Sequence, residues 1–156
     1  MSAPRRRVHG RRTARTVALQ ALYEIDTTGH EPEGVMQRRI AEDGLAPEAG
    51  EYARELVNGV LQNITAIDRL IQKAAPAWPF TQMAKIDRNI IRIALYEALF
   101  RSNKVPFKVV VNEAVELAKL FGSESSGRFV NGVVGSIVTQ ELGKGGEGNS
   151  VTDTSP

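Results

Sequence analysis

The sequence predicts an all-α protein, a compact helical bundle of two subdomains with three to four helices each. Apolar residues recur at steps of three and four through most of the chain, glycine and proline interrupt them where helices would end, and no stretch requires a strand. At 156 residues, 42% of them apolar, the chain suits one domain or two small halves sharing a core.

The expected elements follow in order. Residues 1–10 lack apolar periodicity and read as a flexible basic arm. From Arg11, residues Ala14, Val17, Ala18, Ala21, Leu22 and Ile25 share one helical face until Gly29 stops the pattern. A short helix from about Glu33 to Asp43 carries Val35, Met36 and Ile40, and Gly44 to Pro47 breaks it. The next opens after Pro47 and keeps helical steps through Tyr52, Leu56, Val60, Ile64 and Ile67 to Ile71, as one element of roughly 35–40 Å at 1.5 Å per residue. The segment Pro76 to Phe80 ends it, because proline lacks a backbone donor and biases its predecessor away from helix. That break divides an N-terminal subdomain, 11–76, from a C-terminal one, 77–142.

Thr81 is the expected N-cap of the turn leading to a fourth helix, with Met83, Ile86, Ile90, Ile93, Ala94 and Leu99 on its buried side. Ile91, Leu95, Tyr96 and Phe100 widen the stripe, which predicts a central helix touched by several neighbours. After Val105-Pro106 a fifth helix runs from about Val109 to Phe121 and stops at Gly122. Val109 to Val111 favour strand locally, but the following EAVELAKL outweighs them. A last helix starts near Ser125 or Ser126 and buries Val130, Val133, Val134, Ile137 and Val138. Residues 143–156, rich in glycine, read as a disordered tail.

Charge is unevenly spread. Six of the 20 Lys and Arg lie in the first 15 residues, where there is no acid, which leaves 14 bases against 18 acids in the rest. A basic arm on an acidic body fits either a polyanion partner or a solvated terminus. Arg5 to Arg15 also raise a targeting segment, but the apolar region Val17 to Tyr23 is broken by Gln20 and lacks a small-residue cleavage site. With no run of about 18 apolar residues, no membrane span is expected, and a cytoplasmic location is.

Little supports catalysis. With no Cys and only His9 and His30, thiolate chemistry is excluded and no metal site or cofactor is expected. None of the usual nucleophile-elbow, zinc-helix, P-loop or dinucleotide motifs is present, and neither histidine sits in a segment that would hold a general base. The chain is therefore expected not to be an enzyme. Asn63-Ile64-Thr65 matches a glycosylation sequon inside a helix and is set aside.

Nucleic-acid binding draws on more features. Arg11 or Arg12 lies beside Arg15 on one side of the first helix, and arginine forks suit phosphate. Lys85, Arg88 and Arg92 form a second strip, which also fits a solvated face. Ser125-Ser126-Gly127-Arg128-Phe129 joins a helix start, hydroxyls, a guanidinium and a ring, suited either to phosphate plus a stacked base or to a cap followed by a core Phe.

From about Arg11 to Val138 the chain resembles the NusB family of bacterial transcription antitermination factors. The resemblance rests on RRTARTVALQALY (11–23), GVLQNITAIDRLI (59–71), KIDRNIIRIALYEALF (85–100), VPFKVVVNEAVELAKLFG (105–122) and RFVNGVV (128–134), in this order and spacing. It implies an all-α fold that binds boxA RNA of ribosomal RNA transcripts together with NusE, a ribosomal small-subunit protein, within an RNA polymerase antitermination complex, and it implies no cofactor. By position it makes Arg11, Arg12, Arg15, Tyr23, Arg128 and Phe129 RNA contacts and puts Asp87 where NusE and RNA meet. Ser125 stands where the family often has an acid, so contacts of that acid do not carry over. Relatives are monomers and homodimers, which leaves the oligomeric state open. Two other readings remain: the related RNA-binding module of some ribosomal RNA methyltransferases, disfavoured because the chain has no room for a cofactor-binding domain, and a helical protein scaffold without RNA specificity.

Overall fold

The structure, a computed structural model, describes residues 3–75 and 82–154, with side chains at 10–75 and 82–144. Its helices are α1 (Ala3–Thr28), α2 (Pro32–Asp43), α3 (Pro47–Gln62), α4 (Ile64–Ala74), α5 (Lys85–Leu95), α6 (Phe107–Phe121) and α7 (Ser126–Thr154), with a π-helical turn at Tyr96–Phe100 directly after α5. No strand occurs among the described residues, as the periodicity predicts.

The helix ends follow local chemistry. The Glu31 side chain caps α2 by accepting from the Glu33 and Gly34 amides at 3.0 and 2.8 Å, and Pro32 occupies a position that needs no donor. Gly44 ends α2 in the left-handed region at φ 61°, where a side chain would be strained. Pro47 opens α3 in the same way that Pro32 opens α2.

Three expectations change. The long third helix is two, because Asn63 leaves helical geometry at φ −111°, ψ 16°. Its side-chain amide donates to the Gly59 carbonyl at 2.8 Å, a local bond of the kind by which Asn competes with the helix ladder. The helical backbone also starts at Ala3 and runs to Thr154, through parts of both stretches read as irregular. Extending an existing helix costs far less than nucleating one, and Pro4 lies in a first turn, where its missing donor is tolerated. The expected break at Pro76 to Phe80 and the Thr81 cap lie outside the described residues.

Helix α5 is central, as its wide apolar stripe predicts. Every residue from Asp87 to Leu95 is buried, and α5 packs against α1, α3, α4, α6 and α7. One hydrophobic cluster joins Ala14, Val17, Leu22, Leu56, Val60 and Ile67 to Ile90, Ile93, Leu117, Val130, Val134 and Ile137. Val133 is only partly buried.

Ion pairs fix the antiparallel register of α1 and α5. At one end Asp26 accepts from Arg88 Nη2 at 2.9 Å and from Asn89 Nδ2 at 3.2 Å, and Arg92 forks onto Asp68 of α4 with two bonds of 2.8 Å. Arg88 and Arg92 are thus interior residues, neither a phosphate strip nor a solvated face, because acids on α1 and α4 meet them inside the bundle.

On the outer side of α1, Glu24 accepts from Arg38, His30 and Arg39. The Arg38 bond, then the His30 bond, hold the Glu24 carboxyl down at about 2 against an ordinary 4.5, despite opposition from burial. A lowered folded-state value means stability that is complete above about 4.5 and fades as pH falls toward 2. Glu24→Gln should therefore show a shallower loss of Tm than wild type across that window in acid melts, and equal slopes would remove Glu24 from the account.

Candidate nucleic-acid interface

The third and fourth turns of α1 put Arg11, Arg12 and Arg15 at the rim of a groove of 630 Å³ whose other wall is the segment from Arg101 to Pro106 and the first half of α6. Each arginine is held differently. Arg11 is exposed and lies 4.2 Å over the Tyr52 ring of α3, a cation–π arrangement. Arg12, its side chain 61% exposed, forks onto Glu113 of α6, with Nε to Oε1 at 3.1 Å and Nη2 to Oε2 at 2.7 Å. Arg15 is buried, and its Nε donates to both carboxylate oxygens of Glu97 at 3.0 and 3.1 Å.

The π-helical turn supplies that buried acid. Its wider winding, closed by the Arg101 amide on the Tyr96 carbonyl at 2.8 Å, carries Glu97 to 1% exposure between Arg15 and the Tyr52 hydroxyl, which donates to it. Burial opposes the Arg15 charge, but the Glu97 carboxylate outweighs it and raises the guanidinium's pKa. Burial first, and then the Glu97 charge, push the Tyr52 phenol well above its usual value, so it remains a donor. On the same turn Tyr96 donates to Glu55 at 2.8 Å, and Arg101 pairs with Glu55 at 2.7 Å while standing 5.0 Å over the Tyr52 ring. Gly59 lets this happen, since a Cβ there would lie 2.2 Å from the Tyr96 ring.

The groove therefore combines the cations Arg11, Arg12, Arg101 and Lys104 with Asn103 and a single acid, Glu113. The Arg12 hydrogen bond holds the Glu113 carboxyl below its usual range against burial. Cations on a concave wall concentrate positive potential, and the Arg12 fork already displays the bidentate geometry that a phosphate would take.

A second recess of 290 Å³ lies at the far end of α5. It is lined by Met83 and Ala84 just before α5, by Asp87 in its first turn, by Ser125 just before α7, and by Arg128 and Phe129 in the first turn of α7. The α6–α7 turn sets this up: the buried Ser126 hydroxyl accepts from the Ser123 amide at 2.9 Å, and Gly122 leaves room for it, as a Cβ would fall 2.5 Å from Ser126. Arg128 is exposed and Phe129 half-buried.

The NusB family profile matches residues 12–139, which include every residue lining the groove and the recess except Arg11. The chain belongs to the NusB family. It is 48% identical over 131 residues to the transcription antitermination protein NusB of Roseiflexus sp. (strain RS-1), covering 83% of this chain and 92% of the relative. Among solved structures it resembles T. maritima NusB, with a TM-score of 0.76 and 33% identity over 83% of this chain and 90% of that one. It also resembles a chain of the crystal structure of antitermination factors NusB and NusE in complex with dsRNA, with a TM-score of 0.78 and 30% identity over 85% of this chain and 98% of that one.

Within this NusB fold the expected site residues fall into three places. Arg11, Arg12 and Arg15 meet at the groove, though Arg15 faces inward. Asp87 meets Arg128 and Phe129, 41 and 42 residues further along the chain, at the recess. Tyr23 is 40% exposed on α1, about 16 Å along the axis from Arg12 at 1.5 Å per residue and on nearly the same face, and it lines neither. Because α1 and α5 run antiparallel, the groove lies beside the middle of α1 and the recess beside the start of α5, with Tyr23 between these levels. Sequence reasoning missed Arg101, Asn103 and Lys104. Their signal was a short basic and polar run, RSNK, directly before Val105-Pro106. No group of acids and histidines suited to a metal occurs among the described residues, and no helix there is long and apolar enough to cross a membrane.

Proposed function

We propose that this chain is a transcription antitermination protein that binds boxA RNA of ribosomal RNA transcripts together with NusE and acts by stoichiometric recognition in the cytoplasm, without catalysis. The observation that carries the reading is the groove itself, where three outward cations stand on α1 and on the segment that follows the π-helical turn. Arg11, Arg12 and Lys104 attract phosphates, with Arg101 on the wall behind them, and Arg15 is a positioning residue that ties α1 to Glu97. The recess at Asp87, Arg128 and Phe129 is the second contact, where RNA and partner meet, and Tyr23 lies on the path between. Phosphate contacts set register and affinity, and base contacts in the recess select sequence.

Fluorescence anisotropy with boxA and a scrambled RNA, with and without NusE, tests this. The reading predicts that boxA binds more tightly than the scrambled RNA and that NusE strengthens the preference. Equal binding of the two RNAs in the presence of NusE would leave a helical protein scaffold as the better account.

The Arg12–Glu113 fork adds a sharper expectation. Glu113 competes with phosphate for Arg12, so Glu113→Gln should tighten boxA binding by about two- to fivefold, the scale of an exposed ion pair. Weaker binding by this variant in the same titration would mean that the fork organises the site instead of competing for it.

A further inference from the structure

We propose that Tyr52 is a positioning residue of the groove, holding Arg11 through its ring so that the hydrogen-bond donors of that arginine stay available to a phosphate. This rests on the RNA-binding reading above and assigns a role to a residue that does not itself reach the RNA.

Tyr52 lies on α3, is 7% exposed and does not line the groove. Three guanidiniums nevertheless converge on its ring, Arg11 at 4.2 Å, Arg101 at 5.0 Å and Arg15 at 5.9 Å from the centroid. Arg11 and Arg15 come from α1, and Arg101 follows the π-helical turn, so a single ring stands behind both walls of the groove. The ring is itself fixed, because its hydroxyl donates to Glu97, which also takes both bonds from Arg15.

These cations differ in the donors they have left. Arg15 is buried and directs Nε at Glu97. Arg101 donates through Nε and Nη2 to Glu55 and through Nη1 to the Asn103 carbonyl. Arg12 does not reach the ring and forks onto Glu113. Arg11 is exposed and makes no hydrogen bond or salt bridge among the described residues. Glu55, the acid that feels its charge, is already engaged by Arg101 and Tyr96.

The two ways of holding an arginine have different consequences. A carboxylate orients a guanidinium by occupying the N–H groups that a phosphate would need, whereas an aromatic ring attracts the cation through its quadrupole and supplies no acceptor of that kind. An arginine held over a ring loses side-chain freedom before RNA arrives and keeps its donors. Less ordering then remains to be done at the moment of contact, which tightens binding without a new contact to the RNA.

The test places phenylalanine at position 52, plain or with one, two or three ring fluorines, and titrates the full chain with boxA RNA and NusE in fluorescence anisotropy. Tyr52→Phe keeps the ring and deletes the bond to Glu97, so Tm should fall while boxA affinity stays near that of wild type. Fluorine withdraws electron density from the ring face at nearly constant shape. Affinity should therefore decline stepwise, by about two- to fivefold at three fluorines, the scale of an exposed cation–π contact. With Arg11→Ala added, the fluorine series should be flat. If affinity instead follows Tm, so that Tyr52→Phe weakens RNA as much as the fluorinated rings do, Tyr52 is only structural and the proposal fails. A fluorine dependence undiminished by Arg11→Ala overturns it too, since the ring would then act on another cation. If wild type prefers boxA over scrambled RNA but fluorination changes nothing, the proposal is wrong and the antitermination reading stands. If wild type shows no such preference, the antitermination reading fails first and the proposal with it.

Discussion

Glu97→Ala should lose about 3–5 kcal/mol of folding free energy, read as a drop in Tm of about 10 °C and in the denaturant midpoint at pH 7. The reason is the company Glu97 keeps. It is 1% exposed, receives both bonds from Arg15 Nε, and accepts from the Tyr52 hydroxyl. Without it a buried guanidinium loses its main counter-charge, with only Glu113 near at 3.6 Å, and a buried phenol loses its acceptor. The cost is that of an orphaned charge, not the net worth of the pair, and this distinction can be tested. Adding Arg15→Met removes the stranded charge and should recover more than half of the loss, since an apolar side chain is at home in that site. A Glu97→Ala variant within 1 kcal/mol of wild type would mean that water reaches Arg15, and the rigid seat of the groove would go with it.

This pair also shows where sequence reasoning stops. The α1 face of Ala14, Val17, Ala18, Ala21 and Leu22 was legible because one period repeats over three turns, and all five residues are buried. Arg15 sits beside that face, and its charge made it look like an outward contact. What turns it inward is Glu97, 82 residues away, placed by a π-helical winding that no local spacing announces. Arg88 and Arg92 were misread for the same reason, as their acids come from α1 and α4. Asn63 was a different failure, since the apolar steps continue across it and only the side-chain bond to Gly59 breaks the helix. The second recess was better served: Arg128 and Phe129 were singled out from their own segment, Asp87 from the resemblance, and the three meet in one cavity, although periodicity alone could not bring α5 and α7 together.

Neutralising the outward cations together should have the larger effect on RNA. An Arg11→Ala, Arg12→Ala, Lys104→Ala variant is expected to bind boxA about 100-fold more weakly at low salt, with the log–log salt slope reduced by about 2, as three lost phosphate contacts on a single strand contribute roughly 0.7 each. All three residues are exposed, and none is the partner of a buried acid in the way Arg15 is, so the variant should melt close to wild type. Loss of phosphate contacts lowers affinity for every RNA alike, so boxA and a scrambled strand should weaken in parallel while their ratio holds. The recess makes the opposite prediction, because changing a base contact alters the ratio and leaves the salt slope alone. If the triple variant instead kept its slope and lost its preference, the groove and the recess would have exchanged roles, with sequence read beside α1 and phosphates held at α7.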